Sequence, residues 1–174
     1  MAALRFIPKL VLATLCMAAL PGAQGRTNNL EDRLLAAHNR ERDMMDVAPL
    51  VWDENLARGA QEWADYLSET GRFEHSPDVR GEPREGENIW GGTPEYFSPE
   101  SMVGLWIEEK RHFRQGQFPF NSTTGDVADV SHYTQVIWQR TGKVGCGLSN
   151  LGGEEILVCR YSRPGNVIGG HPLS

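Results

Sequence analysis

The sequence predicts a small α+β domain, and three observations carry that prediction. Two helical stripes open on recognisable caps, at Asp53 and Ser98. A further helical segment precedes them, and two strand-like segments near the C-terminus flank a glycine pair.

The clearest helix starts at Asp53, whose carboxylate suits the free N–H groups of a first turn. It carries Leu56, Ala60, Trp63, Ala64 and Leu67 on one stripe and stops at Gly71. Before it, a helix is expected from about Leu30 to Met45. Asn28 or Asn29 would cap it, Glu31 and Asp32 occupy its first turn, and Leu30, Leu34, Ala37 and Met45 face inward. Pro49 ends that region. A third helix starts at Ser98, with Pro99 in the first helical position, and continues through Phe113. Its stripe is Met102, Leu105, Trp106, Glu109 and Phe113, so a carboxylate falls on the face that the period assigns to the core. An ionised carboxylate buried alone is costly, and Glu109 therefore requires a cation, a metal or several hydrogen-bond donors.

Val144 to Ser149 and Glu155 to Tyr161 read as strands joined by a two-residue Gly152-Gly153 turn. That turn sets Cys146 opposite Cys159 at a non-hydrogen-bonded site, where side chains approach most closely. A cross-strand disulfide follows, contributing roughly 2 to 3 kcal/mol by loop closure.

At the N-terminus, Arg5 and Lys9 precede an apolar run from Leu10 to Leu20, followed by Pro21-Gly22 and the small residues Ala23 and Gly25. This is the layout of a secretory signal peptide, with cleavage expected after Gly25. The run falls well short of the roughly twenty residues that span a bilayer, and no stable membrane insertion is expected. Residues 1–25 are thus read as a leader and 26–174 as a single domain. Export would place it outside the cell, or in a periplasm if the source is bacterial. Loss of Arg5 and Lys9 with the leader moves the formal net charge from −6 to −8, a sign that opposes binding to nucleic acid. Loss of Cys16 leaves two cysteines, an even number suited to an oxidising compartment.

Ser131 to Trp138 (SHYTQVIW) and Ile156 to Val167 (ILVCRYSRPGNV) resemble the two signatures of the CAP superfamily, which includes cysteine-rich secretory proteins, insect antigen 5 and plant pathogenesis-related proteins. Ala37-His38-Asn39 with Arg42, His75-Ser76, and Gly86-Glu87-Asn88 appear in the order that the family shows. Ser131 departs from the usual Gly or charged residue. The resemblance covers essentially all of the chain after the leader. It implies an α-β-α sandwich with a small central antiparallel sheet, and a cleft lined by His75, Glu87, Glu109 and His132, with Trp90 and Tyr133 beside it.

Two imidazoles and two carboxylates suit a divalent cation, zinc best, or proton transfer. In a hydrolytic version His75 and His132 would hold the metal and Glu87 or Glu109 would activate water. Neither an HExxH zinc-protease spacing nor a GxSxG nucleophile motif is present. Three readings of the tetrad stay open: a buried polar network, a metal site without catalysis, and a catalytic centre. Trp90, Tyr96, Phe97, Phe118 and Phe120 lie in or beside two long loops, 74–94 and 116–131, and would suit either an apolar groove or satellite packing on the core. The family's association with sterols and lipids makes a small apolar or peptide ligand the expected partner. A secreted metal-dependent hydrolase or peptidase is the alternative, and a non-catalytic interaction scaffold the third. His38 and Asn39 are expected to pack and hydrogen-bond. Asn121-Ser122-Thr123 is a formal glycosylation sequon, and His112 and His171 carry no assigned role.

Overall fold

The computed structural model describes residues 23–78, 81 and 83–174, and the apolar run of the predicted leader lies outside them. Two strands rich in Val, Leu and Cys, β3 (Lys143–Ser149) and β4 (Glu155–Ser162), form the middle of a four-stranded sheet. Their register is the predicted one, Cys146 facing Cys159. A disulfide joins them across a Cα separation of 4.0 Å, short as for a non-hydrogen-bonded pair. The connection is longer than the expected two-residue turn, because the strands end at Ser149 and resume at Glu155. It docks on the neighbouring helix instead of closing tightly. The Gly152 N–H donates to Ser68 Oγ at 2.9 Å, and a Cβ on Gly152 would meet the Ser68 carbonyl at 1.7 Å.

On the other side of β4 lies β2 (Gly86–Gly92), antiparallel to it. The short β1 (Val51–Trp52) pairs with β3 in parallel, so the sheet is mixed, a correction to the antiparallel sheet expected. Neither β1 nor β2 was foreseen. Three glycines in the seven residues of β2 lower its strand propensity, and it falls within a segment read as loop.

The period of two in the strands divides the core. Ile89, Ile156 and Val158 face α3 (Glu54–Thr70), packing on Ala60, Ala64 and Leu67. Val144, Cys146, Leu157, Cys159 and Tyr161 face α2 (Leu30–Met44), α4 (Pro99–Glu108) and α5 (Ser131–Val136). The result is the α-β-α sandwich. Gly145 and Gly147 let α3 lie close on β3, since added Cβ atoms would come within 2.2 Å of Ala57 N and 2.3 Å of the Gln61 backbone. A four-residue helix, α1 (Ala23–Arg26), opens the described chain, and Arg26 pairs with the buried Glu155. No helix among the described residues is long and apolar enough to cross a membrane.

Two helix starts follow the sequence in full, whereas Asn29 precedes α2 at φ 53° without the expected side-chain capping bond. Asp53 accepts from the N–H groups of Asn55 and Leu56, and Ser98 accepts from Ser101 N. Gly71 closes α3 at φ 65°. Two corrections concern α4. Its α-helical part ends at Glu108 and passes into a 3₁₀ turn, Glu109–His112, before Phe113. Its core face is Met102, Val103 and Trp106, while Leu105 is 39% exposed. The helix is wedged between α2 and α5, which rotates the buried stripe by one position towards Val103.

Helix α2 buries polar groups and satisfies them. His38 Nδ1 sits 2.8 Å from the Leu34 carbonyl and must carry the proton, leaving Nε2 to accept from Tyr161 Oη at 2.8 Å. Asn88 Nδ2 donates to both Tyr161 Oη and the His132 carbonyl. Asn39 exchanges two bonds with the Leu50 backbone. Glu41 accepts from Tyr133 Oη and Lys110 Nζ. The expected packing role of His38 and Asn39 is what the structure shows.

Burial holds His38 down at about 4, opposed by its bond to the Leu34 carbonyl and assisted by Arg42. The unfolded chain takes up this proton near pH 6.5, and the folded one only near 4. Stability from His38 is therefore complete above pH 6.5 and is lost as the pH falls through 4, by on the order of 3 kcal/mol. Chemical denaturation between pH 7 and 4 is expected to show a shallower acid loss in His38→Gln than in wild type. The sequon gives a second prediction. Asn121 is 0% exposed and donates through Nδ2 to the Arg114 and Gly116 carbonyls. A glycan would replace one of the two hydrogens on that nitrogen, so the two bonds cannot both be kept, and the buried position leaves no room for a sugar. Mass spectrometry of folded protein secreted from a glycosylating host is expected to find Asn121 unmodified.

Candidate functional site

Glu109 begins the 3₁₀ turn after α4, and its carboxylate reaches the first turn of α5. Oε2 accepts from the backbone N–H groups of His132 (3.0 Å) and Tyr133 (3.1 Å), while Oε1 meets His132 Nδ1 at 2.6 Å. The inward carboxylate thus finds several donors at a helix N-terminus, where free N–H groups and the helix dipole favour negative charge. The His132 ring lies nearly parallel to Trp106, at 11° and 6.2 Å between centroids.

Glu87 repeats the arrangement on β2. Its Oε1 takes His75 Nδ1 at 2.8 Å and the Ser76 backbone N–H at 3.0 Å, tying the segment after α3 to the sheet. Glu87 is nearly buried, its side chain 8% exposed, whereas that of His75 is 66% exposed. Strand pairing sets Arg160 opposite Glu87, and Arg160 lies over Gly59 of α3, where a Cβ would come within 2.8 Å of the guanidinium. Arg160 Nε is 3.5 Å from Glu87 Oε2, and both atoms are buried without a hydrogen bond. These groups line a cavity of about 270 Å³ with Asp78, Arg84 and Glu85. The hydrogen bond to Glu87 raises the His75 pKa above its ordinary value, against burial. Burial pushes Glu87 up, but its bonds to His75 and Ser76 outweigh that and leave it below the usual carboxylate value.

The four predicted residues therefore form two imidazole–carboxylate pairs. His75 and Glu87 line the cavity, and Glu109 and His132 are not among its walls. In both pairs the carboxylate holds Nδ1 and leaves Nε2 for a ligand, the orientation seen in metal-binding histidines. Zinc takes at least three protein donors, and no group of three His, Cys, Asp or Glu among the described residues is placed to hold one ion. The residues do not fit a zinc centre in this arrangement. Trp90 and Tyr133, expected beside the cleft, are 6% and 0% exposed and belong to the core, Tyr133 being held inward by its bond to Glu41. Phe118 is buried and Phe97 packs on the core, so of the five loop aromatics only Tyr96 and Phe120 are well exposed. Arg160 is the site residue that sequence reasoning missed. Recognising β2 would have revealed it as the cross-strand partner of Glu87.

Residues 35–161, from α2 into β4, match the family of cysteine-rich secretory proteins, CAP. The chain belongs to the CAP family. Both imidazole–carboxylate pairs, Arg42 and Arg160 fall inside the CAP match. A pathogenesis-related protein of PR-1 type from Sambucus nigra is 31% identical over 163 residues, 92% of this chain and 93% of its own length. Pathogenesis-related protein 1 of Arabidopsis thaliana is 34% identical over 140 residues, 79% of each chain. Among solved structures, NaASP2, crystallised with Zn²⁺, superimposes with a TM-score of 0.69 over 85% of this chain and 86% of that one. At 21% identity that likeness shows the CAP fold.

The His75–Glu87 pair has a direct test. Stability from this bond is present below pH 6.5 and lost as the pH rises through the raised His75 value. Glu87→Gln keeps an acceptor and removes the charge. NMR titration of the His75 ring is expected to show a pKa above 6.5 in wild type and a fall towards it in the variant.

Proposed function

We propose that this CAP domain is an exported binding module that takes a charged peptide segment in the cavity beside His75 and Glu87. The observation that carries this reading is the charged lining of that cavity, where the exposed His75 ring, held through Nδ1 by Glu87, leaves Nε2 free beside Asp78, Arg84 and Glu85. The lining carries both signs of charge, with His75, Arg84 and Arg160 against Asp78, Glu85 and Glu87. Such a wall recognises backbone amides and charged side chains, and it penalises a sterol or acyl chain that cannot pair with it. The loop aromatics that would have served an apolar ligand lie mostly in the core. Export rests on the leader-like N-terminus and on kinship with cysteine-rich secretory proteins.

The test is a mixed-charge peptide library panned against the folded domain, run in parallel with cholesterol binding. Selected peptides are expected to bind wild type and to weaken about tenfold or more in His75→Ala and Arg84→Ala, as loss of a charged hydrogen bond predicts. Cholesterol binding with no peptide selected would overturn the proposal. Cleavage of the bound peptide, abolished in His75→Ala, would replace it with a hydrolase.

A further inference from the structure

A second cavity, of about 370 Å³, opens where the chain folds back over the turn that follows α5. Trp138 forms its base, packed edge-on against Phe118 at 6.1 Å. Pro164 and Val167 add apolar wall, and the Gly170 backbone lies against the indole, where a Cβ would come within 3.0 Å of Cζ2. The segment is fixed in place. Phe118 N–H donates to the Gly170 carbonyl at 2.8 Å, Gly169 N–H to the Phe118 carbonyl at 2.9 Å, and Gln139 N–H to the Pro172 carbonyl at 2.7 Å.

Two cations border this apolar base. Arg140 and Arg163 both line the cavity, and neither guanidinium has a hydrogen bond or ion pair among the described residues. Most of the lining comes from residues 163–174, beyond the 35–161 match to the family, so the feature is separate from the His75–Glu87 cavity.

An indole, a proline and a valine favour an apolar body, which a bare inorganic anion lacks. A neutral apolar molecule would strip water from the guanidiniums and give them nothing in return. A planar carboxylate matches the guanidinium fork, and the volume lies in the range of small-molecule pockets. We propose that this cavity binds a small amphiphilic carboxylate, its head at Arg140 and Arg163 and its apolar body on Trp138. This assignment does not depend on the peptide reading of the first cavity.

Titration with sodium octanoate, followed by ¹H–¹⁵N NMR at the Trp138 indole and the Val167 amide, tests it. Saturable shifts at both are expected at pH 7. The uncharged octanamide, of equal length, is expected to bind about tenfold more weakly or worse, as is octanoate with an Arg140→Ala/Arg163→Ala variant. Both arginines are exposed and unpaired, so that variant should keep the wild-type spectrum elsewhere. Val167→Glu, which brings a carboxylate to the rim, is expected to abolish binding independently. The proposal is overturned if octanamide binds as tightly as octanoate, if both variants bind octanoate like wild type, or if the shifts map to the His75 cavity.

Discussion

Arg42 is the side chain on which the two helical elements and the sheet of the larger layer depend. It is fully buried on α2 and faces carbonyls, not a carboxylate. Its Nε donates to Ala48, one terminal nitrogen to Val136 and Trp138, and the other to Thr141, all between 2.8 and 3.0 Å. Four bonds from one planar group fix the chain leaving α2, the C-terminal end of α5 and the turn that enters β3. Burial lowers the Arg42 pKa to about 10, far enough above neutrality for the cation to persist. A cation among the last carbonyls of α5 also complements the dipole of that helix. Loss of the guanidinium would leave four carbonyls to find other partners, the costly side of the hydrogen-bond balance.

From that anchor the two imidazole–carboxylate pairs acquire their geometry. Arg42 fixes one end of α5, and Glu109 fixes the other through the His132 and Tyr133 N–H groups. Tyr133 in turn points inward to Glu41 on α2. Asn88, next to Glu87, donates to the His132 carbonyl and to Tyr161 Oη, and Tyr161 bonds His38. Polar links therefore run from α2 through the sheet to the Glu109–His132 pair, while the His75–Glu87 pair is reached only along the β2 backbone.

Much of this was legible in the sequence, and the gaps have physical causes. Asp53, Gly71, Ser98 and Pro99 marked helix ends because capping is local chemistry. The Cys146–Cys159 register followed from the glycine pair even though the connection proved longer, since register depends on the midpoint and not on turn length. Glu109 was flagged as a carboxylate in need of donors, but nothing local named the N-terminus of a six-residue helix as their source. That helix, SHYTQV, is too short to show a period. β2 was hidden by its glycines, and with it Arg160. Trp90 and Tyr133 neighbour the cleft residues in sequence, but the alternation of β2 turns Trp90 to the face opposite Glu87, and the bond to Glu41 draws Tyr133 inward.

The two carboxylates are not equivalent, and the difference decides where ligand chemistry can reside. Glu109 commits both oxygens, one to His132 and the other to two backbone N–H groups. To turn towards a ligand it would have to give up these bonds. Glu87 commits Oε1 alone, and its Oε2 stands 3.5 Å from Arg160 Nε, too far for a good hydrogen bond. The spare capacity in the tetrad is thus on the side of β2, where the imidazole is also the more exposed of the two. His132 and Glu109 hold a helix in place, while His75 and Glu87 retain an oxygen held only by a long ion pair to Arg160, an open ring nitrogen and a cavity beside them.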